Sequence, residues 1–216
     1  MAIITGFEPF GGRTDNASWE VAQHVASLLS SEGIAIEALR LPVEFDAIAP
    51  FIARHRSGAV ISVGEAASAK RARVETAGRL WQCGTDNSGR TFNRPLHLNL
   101  DPPNHTEQTL IAPELSTSSD IRPPDWVAGD EGLADAVRAP QECARLARVA
   151  GLDVSDDAGT YICNTTTALG YTHLRRFAFV HVPAQQPTDE TMSAVTTFVR
   201  LLLSVKNQGD NHEIEN

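Results

Sequence analysis

Cys163 stands in the stretch TYICNTTT, where the residue pattern predicts a strand, GTYICN, running into a helix, TTTALGYTHLRR. A thiol at a helix N-terminus meets unpaired backbone N–H groups and the positive end of the helix dipole. Both favour the thiolate, and the same N–H groups can bind a developing oxyanion. A small buried hydrophobe is the competing reading, because free cysteine packs well in cores. Cys143, in a helical pattern with Ala144 and Leu146 nearby, fits the buried reading more closely, and Cys83 in WQCGTDN is a weaker competitor as nucleophile.

A thiol nucleophile needs a base, and there are seven histidines to choose from. Six of them, His24, His55, His97, His105, His173 and His212, fall on helix faces, in loops or in the tail. His181 alone lies at the carboxyl end of an apolar strand, FAFVHVP, the edge at which open parallel sheets bind ligands. A structural strand-end histidine is the alternative. An acid to orient the imidazole is available in KRARVETAG as Glu75, which a solvent-facing strand glutamate also explains.

Other chemistries find no support. The chain has no G-x-G-x-x-G, no G-x-x-x-x-G-K-[ST], no H-E-x-x-H, no Cys/His cluster at zinc spacing and no G-x-S-x-G elbow. A net charge of −9 disfavours nucleic-acid or anionic-membrane partners. No apolar run reaches membrane-spanning length, and the first residues lack the basic and apolar pattern of a secretory signal. Three widely spaced cysteines do not form a disulfide framework, so a reducing cytoplasm is the expected location.

The elements that must position these groups follow from periodicity. The chain predicts a strand at Ala2–Thr5, then a helix capped by Asn16 with Ala17, Val21, Val25 and Leu28 on one face, ended by Gly33. The strand IAIEALRLP, a helix around EFDAIAPFIARHR and the strand AVISVG complete a β-α-β-α-β series, the signature of a parallel sheet covered by helices. KRARVETAGRLWQ reads as an extended excursion or hairpin. Residues 84–130, rich in Pro, Asn, Asp, Ser and Thr, read as a long irregular loop region. LADAVRAPQECARLARVAG is helical, with Pro140 expected to kink or divide it. TDETMSAVTTFVRLLLSV, capped by Thr188, is the last helix. A single catalytic domain over residues 1–205 and a polar, disordered tail over 206–216 are expected.

Four blocks in order along the chain then share one resemblance. TGFEPFGG followed by NASWE, VGEAASAKRARVE, AGTYICN and FVHVP resemble, respectively, the opening, glutamate, nucleophile and histidine segments of pyroglutamyl peptidase I, also called pyrrolidone carboxyl peptidase. The resemblance implies an open α/β/α sandwich with a mostly parallel twisted sheet. It implies a cysteine peptidase that removes N-terminal pyroglutamate from peptides, with Cys163 as nucleophile, His181 as base and Glu75 as orienting acid. No metal or organic cofactor is implied, and a homo-oligomer, dimer or tetramer, is. Phe7 and Phe10 would wall a pocket for the flat lactam ring, with Tyr161 and Ile162 as further lining.

The chain departs from the family pattern at definite places. Glu65 replaces the Gln of VGQAGGR, ASA replaces its GGR, and Cys83 in CGTDN stands where an arginine is expected. CNTTTALGY replaces CNH-x-x-Y. A carboxylate at 65 can only accept hydrogen bonds from a lactam that offers both a donor and an acceptor, so weaker processing of pyroglutamyl amides is expected, part of it recoverable by Glu65→Gln. An amidase of the same fold acting on another small N-acyl or lactam group is the nearest alternative. A non-catalytic ligand-binding relative is another.

Overall fold

The computed structural model describes residues 1–100, 121–128 and 130–205. Its first half is a run of strands and helices: β1 (Ala2–Phe7), α1 (Ala17–Ser31), β2 (Ile36–Leu41), α2 (Phe45–Arg54) and β3 (Ala59–Ala66). Short strands follow, β4 (Arg73–Glu75), β5 (Ala77–Gly78), β6 (Trp81–Thr85) and β7 (Thr91–Pro95), then α3 (Asp125–Ala128), α4 (Asp130–Ala134) and β8 (Val137–Arg138). The chain closes with α5 (Gln141–Val149), β9 (Asp153–Ser155), α6 (Ile162–His173), β10 (Arg176–Pro183) and α7 (Asp189–Ser204).

Six strands form the central sheet in the order β2-β1-β3-β10-β4-β9. All neighbours are parallel except β10 and β4. Alternation along the strands divides the core into two layers. Ile4, Ile61, Val63, Val74, Val180 and Val182 point into a layer with α1, α5 and α7, whose Val25, Leu146 and Phe198 meet them. Ile3, Val60, Phe177 and Phe179 point the other way, against Ile48 and Ile52 of α2 and Ile162 and Leu169 of α6. The result is a three-layer α/β sandwich, as the sequence implies.

Local signals hold where the sequence states them. The Asn16 side chain accepts from the Ser18 amide at the start of α1, Thr188 does the same for Thr191 in α7, and Gly33 takes φ +85° after α1. Two expectations need correction, and a third gains detail. GTYICN is not a strand end: β9 supplies the strand, a connector follows, and α6 begins at Ile162. The long helical reading around Pro140 breaks into α4, the two-residue β8 and α5, with Pro140 as the N-cap of α5 because it lacks the N–H a helix interior needs. The excursion KRARVETAGRLWQ is extended, as expected, and contributes β4 to the main sheet, β5 to a pair with β8, and β6 to a hairpin with β7. That hairpin also orders the first part of 84–130, whereas residues 101–120 and the 206–216 tail lie outside the described residues.

Candidate active site

The site forms where β10 lies between its parallel neighbour β3 and its antiparallel neighbour β4. His181 shares the face of Phe177 and Phe179, looking toward α6, and is 4% exposed. In the β4–β10 register Phe179 opposes Glu75 and His181 opposes Arg73. The imidazole Nδ1 reaches diagonally to Glu75 Oε1 at 2.7 Å, and the Phe179 ring packs edge-on against it with centroids 5.0 Å apart.

Cys163 occupies the first turn of α6, where helix geometry leaves backbone N–H groups without intrahelical partners. Its sulfur lies over Gly64, the residue opposite His181 in the β3–β10 register. The thiol and the imidazole therefore stand at the same level of the sheet. Burial disfavours the imidazolium, but Cys163 and Glu75 outweigh it and push the His181 pKa up to about 9. Burial alone would raise the Glu75 pKa. The contacts with His181, helped by Ser155 and Arg73, reverse this and hold the carboxyl below its ordinary range. The sequence pointed to Cys163, His181 and Glu75 from three separate segments, and the fold brings all three together.

The competing groups lie elsewhere. Cys143 is buried in α5 beside the Tyr171 hydroxyl at 3.6 Å, and burial pushes its thiol up to about 11. Cys83 is buried in β6 with its sulfur 3.8 Å from the Ile121 carbonyl. His173 contacts the Leu98 carbonyl, and His55 stacks on Phe51. His105 and His212 lie outside the described residues.

Of the pocket candidates, Phe7 is buried in the core layer beneath α2 and α6, and Phe10 packs half-buried on the edge of that cluster. Ile162 is buried in the same layer. Tyr161, immediately before α6, packs edge-on against Phe45 and donates its hydroxyl to the Thr85 carbonyl at 2.8 Å. Glu65 points away from this cluster. Its Oε2 accepts from the Ala17 amide at the start of α1 at 2.9 Å, and its Oε1 pairs with Arg13. Both oxygens are therefore engaged by the chain itself, and the expectation of a bare carboxylate beside the substrate does not describe the side chain.

Two groups were missed in the sequence. Asn164 follows the nucleophile candidate and clamps α6 to the strand connection. Its Oδ1 accepts from the Arg79 amide at 2.6 Å, and its Nδ2 donates to the Arg79 and Trp81 carbonyls at 2.9 Å each. Arg73 donates from Nε to Glu75 Oε1 at 2.7 Å. The i, i+2 spacing of Arg73 and Glu75, which puts both on one strand face, was the signal available for the second.

Comparison with known proteins bears on this arrangement. Residues 1–88 match the family model described as pyroglutamyl peptidase. The pyroglutamyl-peptidase 1 of Mus musculus is 27% identical over 221 residues, covering 96% of this chain and 92% of its own. The pyrrolidone-carboxylate peptidase of Streptomyces coelicolor is 29% identical over 212 residues, covering 89% of this chain and 83% of its own. Among solved structures, the pyrrolidone carboxyl peptidase of Thermus thermophilus shares the fold with TM-score 0.61 at 23% identity, over 94% of this chain and 98% of that one.

Proposed function

We propose that this chain is a hydrolase of the pyroglutamyl peptidase I type that removes N-terminal pyroglutamate, a reading supported by the matched family model and the curated relatives. Cys163 is the nucleophile, His181 the general base and acid, and Glu75 the group that orients the imidazole. The single observation that carries the reading is the buried 2.7 Å bond from His181 to Glu75, with the Cys163 sulfur over Gly64, the register partner of His181.

The chemistry follows from that order. Because His181 holds its proton to about pH 9, an imidazolium stands by the sulfur at neutral pH and stabilises negative charge as it develops there. The thiolate attacks the amide carbonyl that follows the lactam ring. The first-turn N–H groups of α6 face the charge developing on the carbonyl oxygen. His181 gives its proton to the leaving amine as the C–N bond breaks, leaving a thioester at Cys163. Water, deprotonated by the now neutral imidazole, releases pyroglutamate. Phe10 and Tyr161, at the edge of the aromatic cluster, are the walls for the ring, with Phe7 and Ile162 packed beneath them. Glu65 enters indirectly, by holding Arg13 and the start of α1. No cofactor takes part. The family resemblance further suggests a cytoplasmic homo-oligomer, which light scattering of the purified protein tests.

Hydrolysis of pyroglutamyl-coumarin amide, lost on Cys163→Ala and kept on Cys143→Ala, is the deciding assay. Full activity in Cys163→Ala would refute the assignment. Cys83, where the family pattern has Arg, favours a second reading, an amidase for another small N-acyl or lactam group. A panel of N-acyl coumarin amides separates the two. A burst of acyl-enzyme with either substrate excludes a mere binder.

A further inference from the structure

Arg73 stands directly across from His181 in the antiparallel pair of β4 and β10, while Glu75 lies one step deeper, opposite Phe179. Because β4 runs against β10, the path from Arg73 to Glu75 leads inward from the rim. The Arg73 side chain is 23% exposed and that of Glu75 is fully buried. Arg73 Nε donates to Glu75 Oε1 at 2.7 Å, the same oxygen and the same distance as His181 Nδ1. The other oxygen, Oε2, is buried and meets no donor at hydrogen-bond geometry among the described residues.

We propose that Arg73 is a positioning residue that acts on His181 through Glu75, keeping the carboxylate ionised and in place while the imidazole is neutral. This rests on the thiol-peptidase reading above. When the C–N bond breaks and the C–S bond of the thioester is in place, the imidazolium proton moves to the leaving amine nitrogen. What remains is a neutral imidazole beside a fully buried carboxylate. A buried carboxylate without a cationic partner is strongly disfavoured, so Glu75 alone would resist the loss of that proton. The guanidinium removes the difficulty in both halves of the cycle. It supplies a permanent positive partner, and it divides the charge on Oε1 so that the imidazolium is not held too tightly.

The surroundings of His181 leave this role to Arg73. From α6 the imidazole faces Cys163, and the Tyr171 hydroxyl is occupied by the Glu75 backbone carbonyl at 2.8 Å, with the Cys143 thiol of α5 behind it. On β3 the nearest acid, Glu65, is taken by Arg13 and the Ala17 amide. On β9, Ser155 is the register partner of Glu75, and Asp153 pairs with Arg71. The opposite face of β10 turns Ala178, Val180 and Val182 into the apolar layer.

The test is the pH dependence of iodoacetamide alkylation at Cys163, read by peptide mass spectrometry, in wild type, Arg73→Gln and Arg73→Lys. The upper inflection of that profile marks deprotonation of His181. Arg73→Gln is expected to move it upward by about half a pH unit or more, because a cation near the imidazolium has gone. Arg73→Lys keeps the charge and is expected to leave it close to wild type. With pyroglutamyl-coumarin amide, kcat of Arg73→Gln should fall about tenfold with KM little changed. An inflection unmoved or lowered in Arg73→Gln overturns the proposal. If Arg73→Gln does not fold, a lowered inflection in Arg73→Lys overturns it, and one at the wild-type position upholds the charge requirement. Should the wild type hydrolyse no pyroglutamyl amide, the functional reading falls alone, since the alkylation profiles still decide the role of Arg73.

Discussion

The Cys163 sulfur rests on Gly64, and only a residue without a side chain fits beneath it. A Cβ at position 64 would lie 2.9 Å from Cys163 Sγ and 2.6 Å from Cζ of Phe179, the ring that supports the imidazole. Gly64→Ala must therefore displace the thiol, the Phe179 ring or both. The expected cost is about 1–3 kcal/mol of stability for overpacking. A loss in kcat of about a hundredfold is expected from misplacing the nucleophile. Thermal unfolding and alkylation of Cys163 measure the two effects separately. Wild-type kcat in Gly64→Ala would show that the packing does not align the thiol.

Part of this site was legible in the sequence for a physical reason. β10 is a continuous apolar run, so the one histidine near its end stands out, and α1 carries both its helical spacing and its Asn16 cap. β4 was not legible. Two of its three residues are charged, and they meet each other and His181 at Glu75 Oε1 rather than apolar side chains. Its alternation rests on Ala72 and Val74 alone, and the polar face, which reads as solvent-facing, is turned to the site instead. The break at Pro140 was legible as a disruption, whereas the pairing of β5 with β8 was not, since it depends on Val137 and Arg138 meeting Gly78 and Ala77 across the chain. α6 crosses so close at Gly78 that a Cβ there would lie 2.5 Å from the Ala168 nitrogen.

Glu65 was expected to act on the substrate, and its contacts reverse the expected effect of a glutamine. Its side chain is 1% exposed and joins Arg13, 37% exposed, to the first amide of α1. Glu65→Gln can still accept from Ala17 but no longer offers Arg13 a charge. Activity should fall rather than rise, through a several-fold higher KM as the Phe10 segment loses its tie. Glu65→Ala, which also leaves the Ala17 amide without its acceptor, should cost about 1–3 kcal/mol, the half-exposed arginine keeping the loss below that of a fully buried pair. A lower KM in Glu65→Gln would restore the direct-contact reading.

The pH dependence of stability follows from the shifts at the site. The pKa of His181 is raised from 6.5 to about 9 in the folded chain. Its contribution is therefore complete below pH 6.5 and disappears as pH rises through about 9. The Glu75 carboxyl is lowered from 4.5, so its contribution is present above pH 4.5 and fades as pH falls through the lower folded value. Stability from this pair is greatest between those limits. Relative to His181→Gln, the wild type should lose up to about 3 kcal/mol between pH 6 and pH 9.5, measured by urea unfolding. A constant difference across that range would mean that His181 keeps its ordinary pKa on folding.

Asp86 builds the aromatic wall from a distance. It is buried at the tip of the β6–β7 hairpin, where its Oδ1 accepts from the amides of Ser88 and Arg90 at 3.1 Å each and from the Ser88 hydroxyl at 2.6 Å. Oδ2 accepts from the Phe45 amide at 3.3 Å, in the first turn of α2. One carboxylate thus folds the turn and ties it to the helix that carries Phe45. That ring meets Phe92 of β7 at 4.4 Å and Tyr161 at 5.3 Å between centroids. The neighbouring Asn87 donates to the Pro9 carbonyl at 2.9 Å, which joins the same turn to the segment bearing Phe10. Asp86→Ala removes four accepted hydrogen bonds and a favourable negative charge at the start of α2, so the turn should loosen while the site at β10 stays intact. The expected result is a KM raised about tenfold for pyroglutamyl-coumarin amide, with kcat within a few-fold of wild type. Amide exchange in residues 85–91 should quicken, and alkylation of Cys163 should keep its pH profile. Asp86→Asn retains an acceptor and should fall between the two. Although burial opposes ionisation of Asp86, its four hydrogen bonds hold the carboxyl below its usual range, so the turn should stay closed at pH 5. A variant with unchanged KM and exchange would remove Asp86, and the hairpin with it, from the wall of the pocket.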